Sequence, residues 1–398
     1  MEALQSLNLE SRVATAMFLD KIADSPAFAI FNAAAKKRAA GQEVFSLSIG
    51  EPSFDTPLPI INAAYESMKG AGGHYTSSWG DDTLREVIVE KVRRKNGIKA
   101  GLGNAIFITT KLSIFATMLS LARPGFEVLV PDPGYYYSEP VTLAGGKPVR
   151  YKLSEDFALD VDEVRSKITA KTRAVMVNTP SNPAGKVFGR KELRELLDVC
   201  LERKVRVISD EAYEDLVYEK KHVSIGSMEA SPKAVISLFS LSKSYAMTGW
   251  RAGYIVADEA TILAVNRFLE TAVTCFPPFI QAASAYAIQN CERYTEGFRE
   301  ELKKRRGILE EGLAGMSALE FRRPEGAFYG FPRLRVREGS MALARRLLAE
   351  KNVAVLPGSI FGPSGEGHIR ISFGSPPETI VEGTRRLREF FQGARLKR

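Results

Sequence analysis

Along the middle of the chain, short apolar runs alternate with amphipathic stretches of helical period. AIFITT (Ala105–Thr110), EVLVP (Glu127–Pro131), RAVMVN (Arg173–Asn178), VRVISD (Val205–Asp210), AVISLFS (Ala234–Ser240) and AGYIVA (Ala252–Ala257) are too short for helices and rich in branched residues. Between them lie segments such as RKELRELLDVCLERK, whose apolar positions recur every three or four residues. Strand, helix, strand in repeated succession requires crossover connections. The pattern therefore predicts an α/β fold, a mostly parallel sheet flanked by helices.

Beyond Ala257 the pattern changes. A long helical stretch runs from Glu259 to Leu313, with a break at Pro277-Pro278. It is followed by LEFRRPEGAFYGFP, the helical MALARRLLAEK, the strand-like VAVLP and HIRISF, and a closing helix from Pro377 to Phe391. This reads as a smaller α+β domain. The expected division is residues 1–45 as an N-terminal segment packing with the small domain, 46–300 as the large domain and 301–398 as the small one. Phe18, Phe28 and Phe31, near the first helix, are expected to pack in the core.

Composition narrows the class. The 398 residues are 45 % hydrophobic and 26 % charged, as in ordinary globular proteins. No apolar run is long enough to span a bilayer, and MEALQSLNLESR lacks the apolar centre of a secretory leader. Three widely spaced cysteines suggest reduced thiols and a cytoplasmic setting, and three scattered histidines argue against a metal site. The net charge of +8 comes largely from clusters such as KVRRK and KKRR, the latter bracketed by glutamates. Such mixed signs mark solvated helix faces rather than a nucleic-acid surface.

The chemistry collects at strand ends. In parallel sheets ligands bind beyond the carboxyl edge. There the predicted strands deliver Thr109-Thr110, the PDPGYYY turn, Asn178, Asp210 and Ser240, with Lys243 three residues on. Each has an ordinary use: Asp210 could cap a turn, Asn182 precedes a proline, and Arg370 alternates with apolar neighbours on a strand. Together they form a different kind of set. A neutralised lysine forms Schiff bases with carbonyl cofactors, and pyridoxal phosphate also needs a carboxylate for its ring nitrogen and donors for its phosphate.

SLSKSYAMTGWR, with Arg251 eight residues after Lys243, resembles the cofactor-attachment signature of class I/II pyridoxal-phosphate aminotransferases of fold type I, the aspartate-aminotransferase-like group. The resemblance extends along nearly the whole chain, through SLSIGEPSFDTP, HYTSSWGDDTLRE, PGFEVLVPDPGYYY, NTPSNPAGKVF, ISDEAY, PEGAFYGFP, LPGSIFG and HIRISFG in the family's order. It implies a sheet of the seven-stranded type, pyridoxal 5'-phosphate as cofactor, Lys243 as its Schiff-base lysine and proton carrier, and Asp210 facing the pyridine nitrogen. Asn182 and Tyr213 would bond the ring's phenolic oxygen, and Tyr135 would stack on the ring. Ser240, Arg251, Thr110 and Lys111 would serve the phosphate. Arg370 would grip the substrate carboxylate with help from Asn182 and the backbone of Gly50. Tyr75 would reach the phosphate of a neighbouring subunit, which implies a homodimer with shared active sites.

One departure stands out. Where the family commonly has a phosphate-turn glycine, this chain has Lys111, which keeps the N–H, adds charge and restricts φ. Phosphate binding is expected to survive with altered loop geometry. The implied activity is amino transfer from an amino acid to a 2-oxo acid (EC 2.6.1-type, ping-pong). A lyase or decarboxylase on the same fold is the alternative. A non-enzymatic regulator is disfavoured, because both Lys243 and Asp210 are present and the family-like region starts too early to admit a DNA-binding module.

Overall fold

The computed structural model describes residues 26–70, 72–230 and 232–392. Its centre is a seven-stranded sheet built from β1 (Ala105–Phe107), β2 (Glu127–Asp132), β3 (Lys147–Lys152), β4 (Thr172–Asn178), β5 (Arg206–Asp210), β6 (Val235–Ser240) and β7 (Gly253–Val256). The spatial order is β1-β7-β6-β5-β4-β2-β3, with β7 alone running antiparallel to its neighbours.

Side-chain alternation explains why helices cover both faces. Ile106, Val128, Val130, Met176, Ile208, Ile236, Leu238 and Ile255 enter one buried cluster together with Ile114 and Ile262 of the covering helices. Leu129, Val175, Val177, Val207 and Val235 enter another, with Leu193, Leu196 and Leu197 of helix Arg190–Glu202. Strands buried on both sides read as continuous apolar runs, which is why most were visible in the sequence.

β3 was not. Its sequence, KPVRYK, lies at the sheet edge and is largely exposed or half-buried, so it lacks an apolar run. The long helical stretch also divides more finely than expected, into Glu259–Ala272, Pro278–Asn290 and Glu292–Leu313, with a second break at Cys291.

The C-terminal part builds its own core around Leu309, Phe328, Leu343, Val353, Ile369, Ile371 and Leu387. Phe45–Ser46 pairs in parallel with Val353–Ala354, and Ile30 and Ala34 of helix Pro26–Ala39 join the same core. Phe31 on that helix is 45 % exposed rather than packed, because Ile30 and Ala34 occupy the inward face. Phe18 and the side chain of Phe28 lie outside the described residues.

Candidate active site

The lysine is positioned by a short turn. β6 ends at Ser240, whose hydroxyl accepts a hydrogen bond of 3.2 Å from the Ser242 N–H and so caps the single helical turn Leu241–Ser244. Lys243 emerges half-buried, and its Nζ donates to the Gly50 carbonyl at 2.6 Å. Burial pushes its ammonium down to about 8; Glu51 opposes this, and Arg251 and Arg370 add to it. An amine so placed is partly neutral near pH 7, the state a nucleophile needs.

Asp210 ends β5. Its Oδ2 accepts from the Tyr137 hydroxyl at 2.8 Å and its Oδ1 from the Ala212 N–H at 3.1 Å. Burial raises the carboxyl to about 6 despite both hydrogen bonds, and neighbouring Glu211 adds to the rise. A carboxylate held this way needs a cation opposite it.

Arg370, on strand Ile369–Ser372, is 4 % exposed. Its Nη1 donates to Asn182 Oδ1 at 3.0 Å and its Nη2 to the Ser48 carbonyl at 2.7 Å, while Nε is buried without a partner among the described residues. The guanidinium lies 4.2 Å from the Tyr329 ring centre and 5.3 Å from that of Phe361. Asn182 also approaches Tyr213 (Nδ2 to Oη 3.5 Å), and the Tyr213 and Tyr329 hydroxyls lie 2.9 Å apart. Gly50 closes the circuit: a Cβ there would meet the Tyr329 hydroxyl at 2.9 Å and Arg370 Nη2 at 3.7 Å. Any side chain would intrude between the lysine's carbonyl partner and the guanidinium.

A second group gathers at the N-terminus of helix Thr110–Leu121, where the first-turn N–H groups form an anion-binding end. Gly253 pairs with Ser240 across the sheet, and a Cβ at Gly253 would lie 2.9 Å from Thr110 Oγ1. Arg251 is exposed, has a left-handed φ of 56°, and directs Nη2 to Thr109 Oγ1 at 3.4 Å and Nη1 to the Thr248 carbonyl at 2.6 Å. Thr110 Oγ1 is buried and unpartnered among the described residues. Lys111 sits in the first helical turn without a left-handed φ, so glycine is not required there. Its Nζ stands 6.0 Å and 5.9 Å from the ring centres of Tyr135 and Tyr136.

Comparison with known proteins now decides the family. Residues 42–387 match the model of aminotransferase class I and II. The chain belongs to that family. It is similar to an aromatic-amino-acid aminotransferase 2 of Thermococcus litoralis (37 % identity over 362 residues, 89 % of this chain and 93 % of the relative). It is equally similar to an aspartate aminotransferase of Pyrococcus abyssi (37 % over 368 residues, 90 % and 94 %). Among solved structures, a double mutant of Thermus thermophilus aspartate aminotransferase superposes with a TM-score of 0.89 at 32 % identity, covering 94 % of this chain and 98 % of that one. The protein is a pyridoxal-phosphate-dependent aminotransferase with the aspartate-aminotransferase fold.

The residues present fit this cofactor. The aminotransferase offers an amine freed by burial, a carboxylate awaiting a cation, and an anion-binding helix end with an orphaned hydroxyl beside an arginine. Lys243, Asp210, Asn182, Tyr213, Tyr135, Ser240, Arg251, Thr110 and Lys111 could together hold it, with Arg370 and Gly50 beside it. Tyr75 is 88 % exposed and is not drawn into this cluster within one chain.

Sequence reasoning missed Tyr137 and Tyr329, and it placed Asn178 at the ligand-binding edge without giving it a role. Asn178 accepts from the Asn182 N–H at 2.7 Å and donates to the Asp210 carbonyl at 3.0 Å, fastening two strand ends together. Tyr137 and Tyr329 lie inside PDPGYYY and PEGAFYGFP, so the available signal was their position within those motifs.

Proposed function

We propose that this aminotransferase anchors its cofactor on Lys243, opposes the cofactor's ring nitrogen with Asp210 and holds the substrate α-carboxylate with Arg370. The observation that carries the reading is the gathering of Lys243, hydrogen-bonded to the Gly50 carbonyl, beside the linked set Arg370, Asn182 and Tyr213, with only the missing Cβ of Gly50 leaving room between them. Bound pyridoxal phosphate supplies an aldehyde that exchanges amino groups and a ring that accepts electron density. The free Lys243 amine would accept and return a proton at Nζ, as its depressed basicity favours. Asp210 contributes a charge that favours a protonated ring nitrogen. Tyr213 and Asn182 would donate toward the ring's oxygen, and Arg370 would orient every amino acid by the carboxylate that all of them share. The turn around Ser240, Arg251 and Thr110 would receive the phosphate.

The reactants are an amino acid and a 2-oxo acid. The relatives are named for aromatic and acidic donors, so a donor panel against 2-oxoglutarate assigns the side-chain class. Transfer of labelled amine without release of carbon dioxide or ammonia supports this reading; release of either points to a lyase or decarboxylase. Borohydride reduction and peptide mapping should place the label on Lys243.

The homodimer belongs to the same proposal. Helix Leu58–Lys69 presents Leu58, Ile61, Tyr65 and Met68, each at least 42 % exposed, as one apolar stripe near exposed Tyr75 in sequence. A second copy covering that stripe would bring its Tyr75 to this chain's phosphate group. The division at residues 45/46 and 300/301 is retained as a proposal, supported by the separate cores. So is a cytoplasmic setting, supported by the unpaired cysteines Cys200, Cys275 and Cys291. Among the described residues, no helix is long and apolar enough to cross a membrane.

A further inference from the structure

The turn that carries Asp210 and Tyr213 has a second set of side chains, which the reading above does not use. Glu211, Glu214 and Asp215 are each at least nine-tenths buried and meet a different set of partners. His222 Nε2 lies 2.7 Å from Glu211 Oε2, and the Ser224 hydroxyl donates to the same oxygen. Lys91 Nζ donates to Glu214 Oε1, and Asn96 Nδ2 donates to Glu214 Oε2 at 2.6 Å and to Ser224 Oγ at 2.8 Å. Lys95 Nζ is 2.6 Å from Asp215 Oδ1, and Asp215 is also hydrogen-bonded by Ser244, the residue after Lys243. The cluster thus touches the neighbours of both Asp210 and Lys243.

Its charges decide the role of the imidazole. Three buried carboxylates face two lysines, of which Lys95 also reaches the half-exposed Glu292 at 3.5 Å, and buried charge of one sign is costly unless a counter-ion closes the balance. Glu211 has no lysine or arginine partner; its Oε1 and the His222 Nδ1 are buried without partners among the described residues.

We propose that His222 is a positioning residue for the cofactor-facing turn: as the third cation of this cluster it holds Glu211, and through Glu211 it fixes Asp210 and Tyr213. Burial alone would push its proton off, but the hydrogen bond and charge of Glu211, then Glu214, outweigh burial and the opposing Lys91, leaving the imidazole more basic than usual. On its own loop Lys220 pairs with Glu325 at 2.8 Å and Lys221 is exposed. The ligand atoms of Glu211, Glu214 and His222 do lie within 4.8 Å of one another, as a metal site would require. Both Glu214 oxygens are already occupied, Oε1 by Lys91 and Oε2 by Asn96.

The inference rests on the cofactor assignment to Lys243, which borohydride labelling of the wild-type holoenzyme tests separately. The deciding experiment is nitrogen-15 NMR of histidine-labelled holoenzyme, where three histidines give three ring systems and His222→Gln identifies one. The His222 ring should still be doubly protonated at a pH above the ordinary midpoint near 6.5. A neutral ring at pH 7 overturns the proposal. In His222→Gln the pH midpoint of the bound cofactor's visible absorbance should rise by roughly half a unit, because a positive charge near the site is lost. An unchanged midpoint assigns His222 a merely structural part and also overturns it. Zinc alone raising the melting temperature of wild type but not of His222→Gln would assign the cluster to a metal instead. Should the variant fail to fold, His74→Gln and His368→Gln assign the other two rings, and the wild-type spectrum then decides.

Discussion

The hydroxyl of Tyr137 donates a 2.8 Å hydrogen bond to Asp210 Oδ2, and the ring itself is fully buried. That bond favours the charged carboxylate against the burial that opposes it. Tyr137→Phe should therefore let Asp210 hold its proton more tightly and weaken its attraction for a protonated ring nitrogen. A hydrogen bond to a charged group contributes about 1.5–3 kcal/mol, so cofactor affinity and kcat together should fall about 10- to 100-fold. Fluorescence titration with pyridoxal phosphate and steady-state kinetics check this; a variant equal to wild type would remove Tyr137 from the site.

Asp210 should destabilise the cofactor-free protein. Its folded carboxyl at about 6 lies above the ordinary 3.8, so the native state binds the extra proton and the penalty is present above pH 6. It is relieved as pH falls through 6 toward 4. At about 1.4 kcal/mol per unit the penalty is about 3 kcal/mol. Asp210→Asn loses about 1 kcal/mol for the replaced acceptor oxygen but should still melt higher than wild type at pH 8 without cofactor, with the advantage gone by pH 4. The same variant should be nearly inactive. Thermal melts across pH give the answer.

Arg370→Lys keeps the charge and loses the fork. KM for every amino acid should rise on the order of 100-fold, with a smaller effect on kcat. Any change limited to one donor class would make Arg370 a reader of side chains. The substitution also frees the Ser48 carbonyl and Asn182 Oδ1, so a modest fall in melting temperature should accompany it.

Cofactor capture should follow the Lys243 amine. The neutral form is reactive, so the rate of pyridoxal phosphate uptake by the cofactor-free protein should climb with pH and level off above about 8. Lys243→Ala should show no borohydride-stable label and lose at least about 10⁴-fold in turnover. Stopped-flow absorbance and peptide mapping measure the two arms.

Ile61→Glu or Tyr65→Glu places a charge in the exposed stripe of helix Leu58–Lys69. Either should convert a dimer to monomers in sedimentation analysis and reduce activity, because Tyr75 of the second copy is then lost. A monomeric wild type, or full activity from a monomeric variant, would defeat the shared-site proposal.

The strands legible in the chain were those buried on both faces, where β2, β4, β5 and β6 need apolar residues at nearly every position. Edge strand β3 escaped because solvent on its flanks permits lysine and arginine. Lys243, Arg370 and Asp210 were assigned roles because they fall at matching positions of the family-like motifs. Tyr137, Tyr329 and Asn178 were not, since a tyrosine near a turn or an asparagine at a strand end suits many roles until its partner is known. The partners lie far off in sequence: 73 residues for Tyr137 and Asp210, 116 for Tyr213 and Tyr329. The cluster around Glu211 was hidden for the same reason, its lysines coming from helix Asp82–Arg94 and that helix's C-cap, Lys95.

The hydrogen bond from Arg370 to the Ser48 carbonyl joins positions 322 residues apart. During synthesis the central sheet, with its lysine and acid, is complete long before strand Ile369–Ser372 leaves the ribosome. The proposed anchor for the vitamin-derived group is thus translated well ahead of the arginine proposed to hold its amino-acid partner. A nascent chain stalled before residue 369 should take up the cofactor yet fail to discriminate amino acids from simple amines.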